Sequence, residues 1–252
     1  MTLPNRADSN SEMTGMFWFE TRKKRLLRIE EAMAGYSFYD RPHKRKPSEL
    51  HEAQENFDYF MHVRLERLAS FRSWLHTHFD VNASFDSDGV FKTSQWLDRY
   101  AEGLISSNDR DQHSFPLYSK WWTEKDPTYS VLFDLGIFVG EFVIDKRPWC
   151  RWELMQETPD KAWIKKSIAK LRPSLSFHQD WDSMNAINIP WFVLSDRRSG
   201  QRVARAGKGQ LSRWIKQFLY NARTAYESGA SFSLEAVDRE SFERMPMIAR
   251  DQ

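Results

Sequence analysis

The stretch Val131 to Ile144 constrains this chain more than any other part of it. Wound as an α-helix at about 100° per residue it is apolar nearly all round, and a helix of that kind has to be buried. The exceptions are Asp134 and Glu141, seven residues apart and therefore on one stripe. A carboxylate carried into an apolar interior must be ion-paired, hydrogen-bonded, protonated or opened to a cleft. Gly136 and Gly140, four apart, give the same helix a smooth side where another backbone can come close.

The chain before this helix reads as helical. Phe17 to Ala34 carries the basic cluster Arg22, Lys23, Lys24, Arg25 and Arg28, with Gly35 as its stop. A basic linker, Arg41 to Pro47, leads to Ser48, a good cap for a helix running to about His78. On that helix Leu50, Ala53, Phe57, Phe60, Met61, Leu68, Phe71 and Leu75 fall within an arc of about 100°, which makes a core-facing stripe. Asn82 to Gly89 reads as a turn, and Thr93 to Ile105 as a helix presenting Trp96, Leu97 and Tyr100.

After Val131–Ile144 the pattern changes. Strands are expected at Trp149–Met155, Ser174–His178 and Pro190–Ser195, with a short helix at Asp160–Leu171 between the first two. A closing amphipathic helix, Gln210 to Ser228, sets Leu211, Trp214, Ile215, Phe218, Ala222 and Tyr226 on one face. The expected class is α+β: a helical N-terminal half packed with a small antiparallel sheet and a C-terminal amphipathic helix. Residues 1–15 read as a flexible arm and 16–230 as one globular domain, its helical part about 16–106 and its helix–sheet–helix part about 115–230. Residues 231–252 form a tail.

Composition narrows the function classes. Eleven Trp and eighteen Phe predict a well-packed interior rich in ring contacts. A net charge of +2 and a pI of about 8.6 fall short of the values above about 9 expected of a dedicated nucleic-acid domain. The single cysteine, Cys150, excludes an internal disulfide and suits a reducing compartment. Residues 1–15 lack the apolar core of a signal peptide, and the fourteen-residue apolar run is shorter than the roughly twenty a membrane span needs. The expectation is a cytoplasmic protein with no membrane partner.

Gly136-Ile-Phe-Val-Gly140-Glu141, followed by Trp149 and Trp152 and by Pro-led segments at Pro173 and Pro190, resembles a group of uncharacterised bacterial domains. In that group a GxxxGE helix precedes a small sheet. The resemblance covers about residues 129–196. It implies a bacterial source and the helix-then-sheet order, and it brings neither an activity nor catalytic residues.

Several constellations invite chemistry. Asp134 and Glu141 could form an acid/base pair or bind a metal, and their structural alternative is ion pairing to Arg64, Arg147 or Arg151. His51, Glu55, His62 and Glu66 share a stripe nearly opposite the apolar arc and read as a solvated face. His76, His78 and Asp80 are the residual metal candidates, against a reading as helix-end groups favourable to the dipole. Asp86 to Gly89 lacks both anchoring acids of a calcium loop, and Gly207-Lys208-Gly209 lacks the spacing and the hydroxyl of a phosphate loop. Arg197, Arg198, Arg202, Arg205, Lys208, Arg213 and Lys216 run without an intervening acid and form a candidate anion- or partner-binding segment.

No cofactor is implied. The reading that follows is a non-enzymatic protein-binding module of a bacterial cytoplasm, with an immunity-type role as one concrete version. The alternatives are a hydrolase-like enzyme using Asp134 and Glu141, and a nucleic-acid binder acting through the basic segments.

Overall fold

The computed structural model describes residues 20–43, 49–104, 127–148, 150–154, 173–176, 183–184, 186–190, 193–194, 211–216 and 219. The expected arm 1–15, the helix Asp160–Leu171, the Gly207–Gly209 loop and the tail 231–252 lie outside these residues. The described residues are mostly helical.

Helix α1, Arg22–Met33, is capped by Thr21, whose hydroxyl accepts from the Lys24 N–H at 3.3 Å. It buries Ile29 and Ala32 and leaves its other side to solvent. Helix α2, Leu50–Phe79, ends at Asp80, whose left-handed backbone (φ 56°) returns its N–H to the His76 carbonyl. Of the predicted stripe, Ala53, Phe60, Leu68, Phe71 and Leu75 are buried, and Phe57 and Met61 pack against the core. Leu50 departs from expectation. It lies at the first position of the helix, beyond the reach of the core, and is 51% exposed.

Helix α3, Ser87–Tyr100, begins six residues before the expected Thr93, and a 3-10 turn at Ala101–Leu104 follows it. Of the segment read as a turn, residues 82–86 are non-helical and only Ser87–Gly89 belong to the helix: Asp86 is the N-cap and accepts from the Gly89 N–H at 2.7 Å. Asp-Ser-Asp-Gly suits both structures, because a short acid can satisfy backbone N–H groups in either.

Helix α4, Pro127–Lys146, is the element around which the rest is arranged. It is buried from Thr128 to Gly140 without interruption. The helix runs past the fourteen-residue apolar run at both ends, and an eighteen-residue window of its twenty residues has a mean hydropathy of 1.4, long and apolar enough by length and composition to cross a membrane. Inside this fold 83% of that window is buried.

Three short extended segments follow: β1 (Arg151–Leu154), β2 (Pro173–Ser176) and β3 (Ser183–Met184). Their backbones lie antiparallel in the order β1-β2-β3, with Arg151 opposite Ser176 and Leu154 opposite Pro173. Four, four and two residues are little against the helical content, so the helical half of the α+β expectation is what stands. The expected strand Pro190–Ser195 is corrected. A 3-10 turn at Ala186–Asn188 leads into helical residues at 189–190 and 193–194. A short apolar run has no periodicity that separates a strand from a buried helical turn, and proline is tolerated in a helix's first turn.

The buried side chains form one cluster that draws on all four helices, Trp152 of β1, Ile187, Ile189, Val193 and Leu194, and Leu211 and Ile215 of the helical residues 211–216. Rings dominate it, as the composition predicts. Tyr39 stacks on Phe133 with centroids 4.1 Å apart, and Phe60 meets Phe133 and Trp152 edge-on. A second group joins Phe71, Trp74, Phe79, Trp96 and Tyr100.

Candidate functional site

The two carboxylates of α4 are the natural place to look for chemistry, and each is held by an arginine of α2 and by one neutral aromatic donor. Asp134 is 1% exposed. Arg67 reaches it with two N–H groups, Nε to Oδ1 at 2.6 Å and Nη2 to Oδ2 at 2.7 Å. The Tyr36 hydroxyl donates to Oδ2 at 2.6 Å. Arg67 also donates to the carbonyls of Phe38 and Ser37, at 3.1 and 3.2 Å. A fork of fixed donors is well matched to a carboxylate on one side and two carbonyls on the other. The same knot ties the segment after α1 to α2 and α4, and the Tyr39 N–H adds a bond to Ser130 Oγ at 3.0 Å.

Burial governs the electrostatics here. It pushes the Asp134 carboxyl up from 3.8 to about 6, against the pull of the Arg67 charge and of the hydrogen bonds from Arg67 and Tyr36. Burial is the largest single influence on Arg67 and pulls its pKa down, but the Asp134 charge, the hydrogen bonds to Asp134 and the nearby Tyr36 and Tyr39 together outweigh it, and the pKa is raised. The Tyr36 phenol is pushed far up, first by burial and then by the Asp134 charge, so it is a donor at any ordinary pH.

Glu141 lies two helical turns on and is less enclosed. Its side chain is 12% exposed. Arg64 Nε donates to Oε1 at 3.0 Å, and the Trp152 indole N–H donates to the same oxygen at 2.8 Å. Arg64 also donates to the Met61 carbonyl. The expected mate Arg64 is therefore confirmed for Glu141. Arg151 instead pairs with Glu153, and Arg147 Nη1 donates to the Lys146 carbonyl.

The glycines explain how these groups come together. A Cβ on Gly136 would stand 2.6 Å from the Ile187 Cα, so the 3-10 turn lies directly on the helix backbone there. A Cβ on Gly140 would run into the Trp152 indole ring. The smooth side of α4 thus receives a backbone at one glycine and an aromatic ring at the other. Glu141, the next residue, anchors that ring through its N–H.

Three partners escaped the sequence: Arg67, Tyr36 and Trp152. Arg67 falls only about 20° outside the apolar arc of α2 when wound at 100° per residue, a signal that could have placed it near the core. Tyr36 follows α1 in an irregular segment and carries no periodic signal.

The other candidates separate. His76, His78 and Asp80 are exposed, and Asp80 is the left-handed cap of α2. Among the described residues no group of three or more metal-capable side chains converges. His51, Glu55, His62 and Glu66 are all exposed, as their stripe predicts. Cys150 is buried and its thiol is pushed up to about 12, chiefly by burial. Arg213 lies in helical residues 211–216, half-buried, and the Ser212 N–H reaches Ser94 Oγ of α3 at 3.4 Å. Arg197, Arg198, Arg202, Arg205 and Lys208 lie outside the described residues.

No family model, no curated protein and no solved structure matches this chain.

Proposed function

We propose that this chain is a non-enzymatic protein-binding module of a bacterial cytoplasm, with neutralisation of a toxin in the manner of an immunity protein as one concrete version. The observation that carries the reading is the state of the α4 carboxylates. Asp134 and Glu141 are each engaged by an arginine and an aromatic donor, and both face packed side chains. Groups so engaged fix one helix against its neighbours, and that removes the main motive for an enzymatic reading. The GxxxGE resemblance supports the bacterial source. The antiparallel register of β1 with β2 supports the finer α+β class, with a small sheet beside the helical body.

The test is affinity capture of the tagged chain from native lysate, with and without nuclease, at low and moderate salt. A stoichiometric protein that survives nuclease is the expected result. Recovery of nuclease-sensitive material alone, with binding that weakens steeply with salt, would replace this reading with a nucleic-acid one.

A further inference from the structure

We infer that Tyr36 and Asp134 form a proton-coupled trap for one-electron oxidation, fed by the indole of Trp74. Tyr36 and Trp74 are 7% and 8% exposed, and their rings meet edge-on with centroids 4.9 Å apart. Trp74 in turn meets Trp96 at 5.7 Å, and Phe71 and Phe79 pack beside it. Its indole N–H donates to the Ala32 carbonyl at 2.8 Å, and a carbonyl accepts a hydrogen bond without taking the proton. A Trp74 that loses an electron therefore keeps its proton and a positive charge in an apolar interior, where an unmatched charge is costly. Tyr36 offers relief. Its hydroxyl donates to Asp134 Oδ2 at 2.6 Å, within the reach that proton transfer requires.

A diffusible one-electron oxidant of the peroxyl-radical class takes one electron from Trp74 and leaves the indole radical cation. One electron then passes from Tyr36 to Trp74, and the phenolic proton passes to Asp134 Oδ2. Trp74 is restored, Tyr36 becomes a neutral radical and Asp134 a neutral acid, and the positive charge resides on Arg67. That guanidinium already donates to the carbonyls of Ser37 and Phe38, so it keeps acceptors when Asp134 is neutralised. Burial, which lifts the Asp134 carboxyl to about 6, makes it a better proton acceptor than an ordinary carboxylate. Tyr100 provides the contrast. It adjoins Trp96 at 6.4 Å, but its hydroxyl is hydrogen-bonded to Arg28, a cation that takes up no proton.

The experiment is laser-flash oxidation of the full chain by a photogenerated ruthenium polypyridyl, a one-electron oxidant, followed by transient absorption. Near pH 8 the tryptophan radical is expected to decay into a tyrosyl radical, more slowly in heavy water. Asp134 is faced by Arg67 of α2 and by Tyr36 and Tyr39 of the segment after α1, whose raised pKa values keep all three protonated at either pH. Near pH 5 the transfer should slow about tenfold, which is the fall in the ionised fraction of Asp134 one unit below about 6. The exposed His78 ring lies 6.0 Å from Trp74, so the series is repeated in His78→Gln, where the same pH response is expected. Tyr36→Phe should abolish the tyrosyl signal and prolong the tryptophan radical. Asp134→Asn should slow the transfer on the order of a hundredfold. The pH and heavy-water series on the wild type stand even if that variant folds poorly. Tyrosyl radical formed as fast in Tyr36→Phe, or with no response to pH and heavy water, would overturn the inference, as would a tryptophan radical that simply persists in the wild type. The trap is independent of the protein-binding reading, and no result here bears on the lysate capture.

Discussion

Asp134 and Glu141 share a stripe of α4, face arginines of α2 three residues apart, and each accepts a bond from an aromatic donor. Their surroundings differ. Asp134 is sealed, with a two-pronged arginine and a phenol; Glu141 sits at the margin, with a single guanidinium contact and an indole. The difference teaches that one motif can serve two purposes. The sealed pair closes the centre of the core, where an unmatched charge is intolerable. The marginal pair aims a large ring, Trp152, onto a glycine of the same helix. Burial also lifts the Asp134 carboxyl from 3.8 to about 6, because water has been withdrawn from it.

The comparison breaks hardest at Arg67. Arg67→Met leaves Asp134 sealed with only Tyr36, and a loss of about 3–5 kcal/mol is expected near pH 8 in urea unfolding. At pH 5 the loss shrinks, because Asp134 then takes up a proton. The wild type carries the same signature. Its Asp134 carboxyl is lifted from 3.8 to about 6, so the native state holds a proton that the unfolded chain has released. Its contribution to stability is therefore greatest below 3.8, declines as pH rises to about 6, and is level above. Asp134→Asn removes that decline from a stability–pH series, and an unchanged slope would contradict the burial argument.

Gly136→Ala comes next. The new methyl meets the Ile187 backbone, which cannot rotate away, and about 1–3 kcal/mol should be lost. At the marginal site Glu141→Gln keeps the shape but removes the charge opposite Arg64, a loss of about 1–2 kcal/mol. Trp152 fluorescence should shift with it, since the indole N–H loses its ionised acceptor. If Glu141→Gln proved as damaging as Arg67→Met, the distinction between sealed and marginal sites would fail. The smallest effect is expected where the same chemistry lies in water. Glu102→Gln, opposite Arg22, should leave the thermal midpoint unmoved, because solvent and salt screen that pair.

The helices of the core were legible because burial imposes a period. The α2 stripe and the all-round apolar α4 follow from where Phe60, Phe71, Val131 and Phe138 fall in sequence. Arg64 was legible as a mate for the α4 carboxylates for the same reason, since it lies inside the arc. Arg67 was passed over because it lies at the arc's edge, where winding angles cannot separate a rim residue from a buried one. Pro190–Ser195 was misread because a six-residue apolar run fits a strand and a buried turn equally well. The start of α3 was misplaced because capping residues and turn residues are the same short polar side chains.

Taken alone, the sequence determined that α4 is central, that two carboxylates lie on one of its stripes, and that two glycines open one of its sides. These follow from local periodicity and from side-chain size. Only the tertiary structure decided which arginine meets which carboxylate, that Tyr36 and Trp152 complete the two sites, and that a 3-10 turn and an indole fill the glycine positions. Those choices depend on contacts between residues as far apart as Tyr36 and Asp134. A long arginine side chain on the rim of a helix can reach several neighbours, and its partner is settled only when the surrounding helices pack.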